Sequence, residues 1–597
     1  MHVMKNAFIS LLPAAALLVA AVPDSAAAQS AGNVNRYGNP PHVTPAPTTP
    51  AIDVRDLRIR LYQFADDSMQ GRQVGRVGNE KGTDYIAAEL KRLGVQPAGD
   101  NGTYFQVLPY HLHKYTEHTR LTVDGNPFQW EEDFVAVPGG RAPRPVSGAQ
   151  VVFGGVEGDT TRQISAAQAA GKFVVLLPAP ASQAPAMGRG RGRGPSGPSR
   201  FAEAAAVATV NLDELSAAER TAINQPTVAM LSGGGRRGRG PAATGPVDSL
   251  ALLKAELEAA QPPATLRLTR AAAARLFKGA SLESLQPGAT GGTVNASLDY
   301  VELPTQWGRN VVGIIPGSDP ALRHEYVAIG AHNDHVGLRE PVDKDSLKAF
   351  NDERNRLLLA NDMIALDRDQ IAKIRVNMDS IRKVHPTVRL DSVANGADDD
   401  GSGSMGVLEI AEAVQGMPVK PKRSILFVWH TGEEAGLIGS AFFTANPTVP
   451  MDSVVAAINI DMIGRGREGD LPGGGPDYLG VVGSFFDSRD LGEAVAEVNR
   501  KLDQPLHLDY RYDTTLTWTG YNNIYQRSDH YNYALQGVPI AFFFTGLHGD
   551  YHQLSDEPEF IDYPHYARIT SYIRDLLVTV ADGPRPRMNG SHPARTR

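Results

Sequence analysis

No cysteine occurs in the 597 residues. Disulfide bridges, a thiol nucleophile and thiolate ligands for a metal are therefore excluded, and the fold must rely on its core. Beyond the N-terminal stretch there is no apolar run long enough to cross a bilayer, so no membrane span is expected. A large excess of one charge is missing too. The formal net charge is −8, mild for such a length, which argues against nucleic acid as a partner.

A chain of this size is expected to hold more than one domain. It opens MHVMKNAFISLLPAAALLVAAVPDSAAAQS, with a positive charge at Lys5, an apolar run and small residues ending at Ala28. That is the pattern of a signal peptide over residues 1–28, which implies an exported protein, periplasmic or extracellular. Residues 29–50 are rich in Pro and Thr and read as a flexible leader. Helical patterns follow at DVRDLRIRLYQFA and GTDYIAAELKRLG, the second closed by Gly94.

Between 130 and 295 the texture changes. AQVVFGG and KFVVLLPAP read as short buried strands. Two Gly-Arg runs, one starting at Gly188 and one at Gly233, read as solvated loops. From 296 to 585 strand and helix alternate. RNVVGIIPG, EYVAIGAH, SILFVWHTG, VVAAINIDMIG and PIAFFFTG are apolar nearly throughout, as in a sheet covered on both faces. The fold class expected is therefore α/β, an α/β/α sandwich around a mostly parallel sheet. Residues 338–393 interrupt the alternation with charged and apolar residues at helical spacing, and are read as a helical excursion. Residues 586–597 read as a disordered tail.

Ligands of an open α/β sheet bind beyond the carboxyl ends of its strands. The strand EYVAIGA leads into His332, Asn333, Asp334 and His335; SILFVWHT into Glu433 and Glu434; VVAAINI into Asp461; PIAFFFTG into His548, Asp550, Tyr551, His552 and Asp556. A fifth loop, NGADDDGSGS, crowds Asp398, Asp399 and Asp400 at the mouth of a helix. Adjacent carboxylates repel by roughly 1 kcal/mol at about 4 Å even in water. Either they cap the helix, whose N-terminus favours Asp, or they face cations. Imidazoles and carboxylates without thiolate suit zinc, with cobalt or manganese as substitutes. Two ions about 3.5–4 Å apart and sharing one carboxylate would use all the acids on offer.

Taken in order, His332-x-Asp334, the run from Gly396 to Gly403, Glu433-Glu434-x-Gly436, Asp461 after an apolar strand and Tyr551-His552 resemble the co-catalytic dizinc aminopeptidases, family twenty-eight of the metallopeptidases. The likeness covers about 300–582, together with the early stretch SMQGRQVGRVGNEKGTDYIAAELKRLGVQPAGDNGTYFQ in 51–129. Residues 130–295 resemble the β-rich protease-associated domain that members insert before the catalytic part. The resemblance implies two Zn2+ per chain: His332 and Asp461 on one, Glu434 and His552 on the other, and Asp399 bridging. It also implies a cis peptide bond after Asp399, with Asp400 beside the ligands rather than among them. Glu433 would be the general base for a dizinc-bound hydroxide, Tyr551 the oxyanion donor, Asp334 the group that orients His332, and Asp529 a neighbour of the substrate pocket. The activity implied is removal of the N-terminal residue from peptide substrates. A carboxypeptidase or dipeptidase using Arg527, a glutaminyl cyclase and a non-catalytic binding relative are the alternatives. The 338–393 insertion would be either a lid or a peripheral, dimer-forming excursion.

Overall fold

The computed structural model describes residues 37–589, except 109, 139–142, 158–161, 179–200, 216–219, 221–226, 231–261, 304–307, 362, 364–365, 367 and 514–523. The signal peptide, both Gly-Arg runs and residues 590–597 of the tail lie outside the described residues. Residues 586–589, expected as part of a disordered tail, are tied down: Arg587 Nε pairs with Asp490 Oδ2 at 2.9 Å and Asn589 donates to the carbonyls of Phe485 and Phe486.

The main domain is built on a nine-stranded sheet. Its principal strands are β1 (Arg309–Ile315), β2 (Tyr326–His332), β3 (Ser424–His430), β4 (Val454–Ile460), β5 (Tyr478–Val482) and β6 (Ile540–Phe544). They lie in the order β1-β3-β2-β4-β6-β5, with Gln96–Pro97 and Phe105–Val107 beside β1 and His507–Asp509 beside β5. Strands β3, β2, β4 and β6 run parallel, while β1 is antiparallel to β3, and β5 is antiparallel to β6 but parallel to His507–Asp509.

Every residue of β3 is buried. Ile425, Phe427 and Trp429 enter one core, and Leu426 and Val428 enter another on the opposite face. Helices cover both faces, which is why the strand is apolar at successive positions instead of alternating. The first face is covered by α1 (Val54–Phe64), α4 (Gly403–Gly416) and α6 (Tyr563–Asp582), through Leu57 and Leu61, Met405 and Leu408, and Ile569 and Ile573. The second is covered by α5 (Ile438–Ala445), through Phe443. The α/β/α architecture expected from the sequence is the one observed. Of the helices outside this set, α2 (Val77–Leu93) ends at Gly94, whose φ of +74° is the left-handed closure that glycine accepts without strain.

A second sheet of eight strands spans residues 120–297 and has a core of its own. The two apolar runs read there as strands overlap Val146–Val156 and Phe173–Leu177, which are parallel neighbours. The 338–393 insertion is helices on a stalk. Gly337–Asp343 pairs antiparallel with Leu390–Ala394, and α3 (Lys344–Ala360), Arg368–Ala372 and Met378–Val384 lie between them. The ribbon escapes a hydrophobic-pattern reading because the first strand is exposed over most of its length and has no buried face.

Candidate metal centre

All five polar loops meet at the carboxyl edge of β3, β2, β4 and β6. The aspartate triplet is buried completely, and its members do different things. Asp400 is a cap and a brace: Oδ1 accepts from the N–H of Gly403 at 2.9 Å and of Met462 at 3.1 Å, while Oδ2 accepts from His332 N–H at 3.0 Å. Asp398 Oδ1 accepts from Gly464 N–H at 2.6 Å and Ser402 Oγ at 2.8 Å, and its Oδ2 lies 3.1 Å from His548 Nε2. Of the three, only Asp399 turns its carboxylate toward His332 and His552. The Asp399–Asp400 peptide is cis, as the family resemblance implies. Asp556, from the loop after β6, accepts from the N–H groups of Asp398 and Asp399 at 3.0 Å each and so fixes the turn. The capping and the cation-facing readings of the triplet are thus divided among its residues.

The two oxygens of Asp399 face two groups of donors. Oδ1 lies 3.1 Å from His332 Nε2, which is 3.7 Å from Asp461 Oδ1. Oδ2 lies 3.0 Å from His552 Nε2, which is 2.9 Å from Glu434 Oε1. The five expected ligands are therefore brought together around one central carboxylate. A sixth side chain, not assigned from the sequence, joins them: His335 Nδ1 lies 3.0 Å from Glu434 Oε1 and 3.7 Å from Asp399 Oδ2. Two three-residue groups have ligand atoms close enough to share an ion, His332 with Asp399 and Asp461, and His335 with Asp399 and Glu434.

The donor set fits metal. Asp399 Oδ2, Glu434 Oε1, His552 Nε2 and both nitrogens of His335 are buried, yet none makes a hydrogen bond of acceptable geometry despite separations near 3 Å. Atoms that approach one another without aligning for a hydrogen bond are arranged as ligands of a common ion would be. The electrostatics agree. Against the opposing effect of burial, Glu434 and Asp399 hold the His552 imidazolium up to about 10. Likewise burial opposes, and Asp461 favours, a charged His332, which lies well above the ordinary histidine value. The carboxylates demand positive charge, and in the protein alone only protons can supply it.

Glu433 is half-buried beside this cluster. Burial raises its carboxyl well above the usual range, with His332 opposing and Glu434 and Asp461 adding to the rise. Its main chain is anchored where Asp334 Oδ1 accepts its N–H at 3.1 Å. Asp334 faces His332 with two groups: His332 Nδ1 is 3.1 Å from its main-chain oxygen and 3.7 Å from its carboxylate, and that carboxylate also holds the Glu433 loop. Asp529 is fully buried, and burial pushes its carboxyl up to about 7.

Tyr551 stacks on His552, with ring centroids 3.8 Å apart, and its hydroxyl accepts from Arg527 Nη2 at 3.4 Å. Next to it a pocket opens. Asp399, Glu433 and Asp461 form its acidic side, and Met462, Ile524, Phe542, Phe544 and Leu547 its apolar wall.

Two supports of the site come from segments distant in sequence. Arg72, buried beneath the aspartate loop, donates to the carbonyls of Asn395 at 2.6 Å and Gly396 at 2.9 Å. Helix α3 of the insertion docks on the loop that carries His552: Asn351 Nδ2 donates to Ser555 Oγ at 2.9 Å and Arg354 Nη2 to Gly549 O at 2.8 Å. Its Asn355 also donates to Gly469 O at 2.6 Å.

Fold and site together define an α/β protein with a metal centre of histidine and carboxylate at the strand ends. Residues 310–577 match the model of Peptidase family M28. A probable zinc metalloprotease of Pyricularia oryzae is 28% identical over 254 residues, 36% of this chain and 48% of the relative. Leucine aminopeptidase 1 of Pyrenophora tritici-repentis is 29% identical over 213 residues, 34% and 51%. The chain thus spans about half the length of these curated relatives. Among solved structures, an aminopeptidase from Aneurinibacillus sp. strain AM-1 aligns with 90% of this chain and 95% of its own, at 16% identity and a TM-score of 0.47.

Proposed function

We propose that the protein is an exported aminopeptidase that uses two zinc ions to remove the N-terminal residue of peptides. The observation that carries this reading is Asp399 set between His332 and His552, with Glu433 and an apolar pocket alongside. Nitrogen and oxygen donors without thiolate suit zinc, and one relative bears that metal in its name. His332, Asp461 and Asp399 would hold one ion, and Asp399, Glu434 and His552 the other. Zinc bound there supplies Lewis acidity and lowers the pKa of a nearby water toward about 7.

The remaining work falls to side chains. Glu433 lines the same pocket as Asp399 and Asp461, so it takes the proton of the attacking water and passes it to the leaving amine. Tyr551, its hydroxyl held by Arg527, donates to the oxygen of the scissile carbonyl as charge develops there. The apolar wall of Met462, Ile524, Phe542, Phe544 and Leu547 receives the first side chain, and the acids opposite suit a free α-ammonium group. The eight-stranded unit is assigned as the protease-associated insert, and α3 as a brace for the His552 loop rather than a lid.

The deciding experiment digests paired peptides, with free and with acetylated N-termini, and follows the products by mass spectrometry; Glu433→Gln is the blank. Stepwise loss from the free N-terminus alone supports the aminopeptidase. Loss from the other end would favour a carboxypeptidase, for which Arg527 in the pocket is the available carboxylate partner.

A further inference from the structure

His335 stands three residues after His332, beyond the end of β2. The turn sends the two rings to opposite oxygens of Asp399: His332 to Oδ1 and His335 to Oδ2. The His335 side chain is fully buried, and neither ring nitrogen has a hydrogen-bond partner. An orphaned buried polar group is destabilising, so an imidazole kept in that state among carboxylates needs another partner.

Its position is enforced from two sides. The N–H of His335 donates to Arg72 O at 3.2 Å, and the guanidinium of the same Arg72 fixes Gly396. Gly396, at φ +54°, lies flat against the imidazole; a Cβ there would come within 2.5 Å of the ring carbons Cγ and Cδ2. Only glycine lets the aspartate loop press on the ring, and that pressure aims Nδ1 at Glu434.

We propose that His335 is a direct ligand of the ion held by Asp399 and Glu434, giving this side of the centre two imidazoles, His335 and His552, against the single His332 on the other. The inference rests on the two-ion reading above. Ligand atoms on a tetrahedral zinc with arms of about 2.0–2.1 Å stand roughly 3.3 Å apart, and Nδ1 is 3.0 and 3.7 Å from the two carboxylate oxygens. The side with more nitrogen donors is the tighter one, so the ions fill in a fixed order: first the Glu434 side, then the Asp461 side.

The test is made on the full chain stripped of metal. Zinc is added back against a chromophoric chelator, and X-ray absorption at the zinc edge counts imidazoles per ion. Expected are two ions of unequal affinity, three imidazoles shared between them, and in His335→Gln a weakening of the tighter ion alone. Loss of groups that merely support ligands weakens metal binding about 10–100-fold, so loss of this ligand should cost at least as much. Unchanged affinities in His335→Gln, or two imidazoles over two ions in the unaltered protein, would overturn the assignment. Because the imidazole count needs no variant, it decides the matter even if His335→Gln does not fold. Binding of fewer than two ions by the unaltered protein would instead overturn the two-ion reading.

Discussion

Lys348 Nζ lies 3.2 Å from Asp550 Oδ2, joining the inserted helix α3 to the loop that ends in His552. Arg465 Nη1 reaches the same oxygen at 3.2 Å, and Ser555 Oγ donates to the other at 2.7 Å. Burial opposes ionisation of Asp550, but Lys348 and Arg465 hold its carboxyl well below the usual range. Breaking a buried pair outright costs about 3–5 kcal/mol. Here Arg465 remains, so Lys348→Met should destabilise by roughly 1–3 kcal/mol, measured by denaturant unfolding. If α3 braces the His552 loop, kcat should fall along with stability. Unaltered kinetics with lowered stability would confine the insertion to folding.

Asp399 contributes one oxygen to each side of the centre, whereas Asp461 touches one side alone. Asp399→Asn should therefore weaken the binding of both ions, and Asp461→Asn should leave the Glu434 side loaded. Metal analysis after dialysis against a weak chelator distinguishes the two: close to none retained in the first variant and close to one in the second. Equal losses would show that the two sides do not bind independently.

The pocket wall predicts the substrate's first residue. Met462, Ile524, Phe542, Phe544 and Leu547 offer no polar partner to a side chain, so leucine or phenylalanine should be preferred. A single methylene in such a pocket is worth about 10–200-fold in kcat/KM. Leucine and alanine substrates should accordingly differ by at least ~10-fold. Ile524→Trp should fill the pocket and bring that ratio down, read from initial rates on paired aminoacyl anilides.

Much of this was legible in the sequence, for physical reasons. Strands β1, β2, β3, β4 and β6 are covered on both faces, so their residues had to be apolar in unbroken runs, and the acids and histidines after them had only the strand ends to occupy. Strand β5 carries the same signal in just five residues, Tyr478–Val482, and was missed. His335 was visible as a second histidine after β2, but nothing local says that Gly396, far along the chain, turns its ring to Glu434. Arg72 was still harder to see. Its burial and its bonds to Asn395 and Gly396 exist only once the N-terminal segment has packed under the aspartate loop. Such supports depend on tertiary approach, on which periodicity is silent.

Two other histidines set the response to acid. His430, at the end of β3, and His530 are both buried, and burial pushes each imidazole down to about 3. His530 stays neutral while Nε2 donates to Tyr525 O at 2.8 Å and its ring stacks on Phe542, centroids 4.4 Å apart. In the unfolded chain each titrates near 6.5. Between about pH 6.5 and 3 the unfolded state therefore binds more protons than the folded one. Stability from these groups is complete above 6.5 and declines as pH falls through that window. At pH 5 the loss is about 2 kcal/mol per histidine, from 1.5 units at 1.36 kcal/mol each. Urea unfolding of the metal-stripped chain at pH 7 and pH 5 measures it, with chelator present so that metal release does not contribute. His530→Gln keeps a donor for Tyr525 O but cannot titrate, so it should start less stable at pH 7 and lose about 2 kcal/mol less on acidification. An equal acid loss in both proteins would mean that His530 protonates without unfolding, through an opening of the Tyr525 segment.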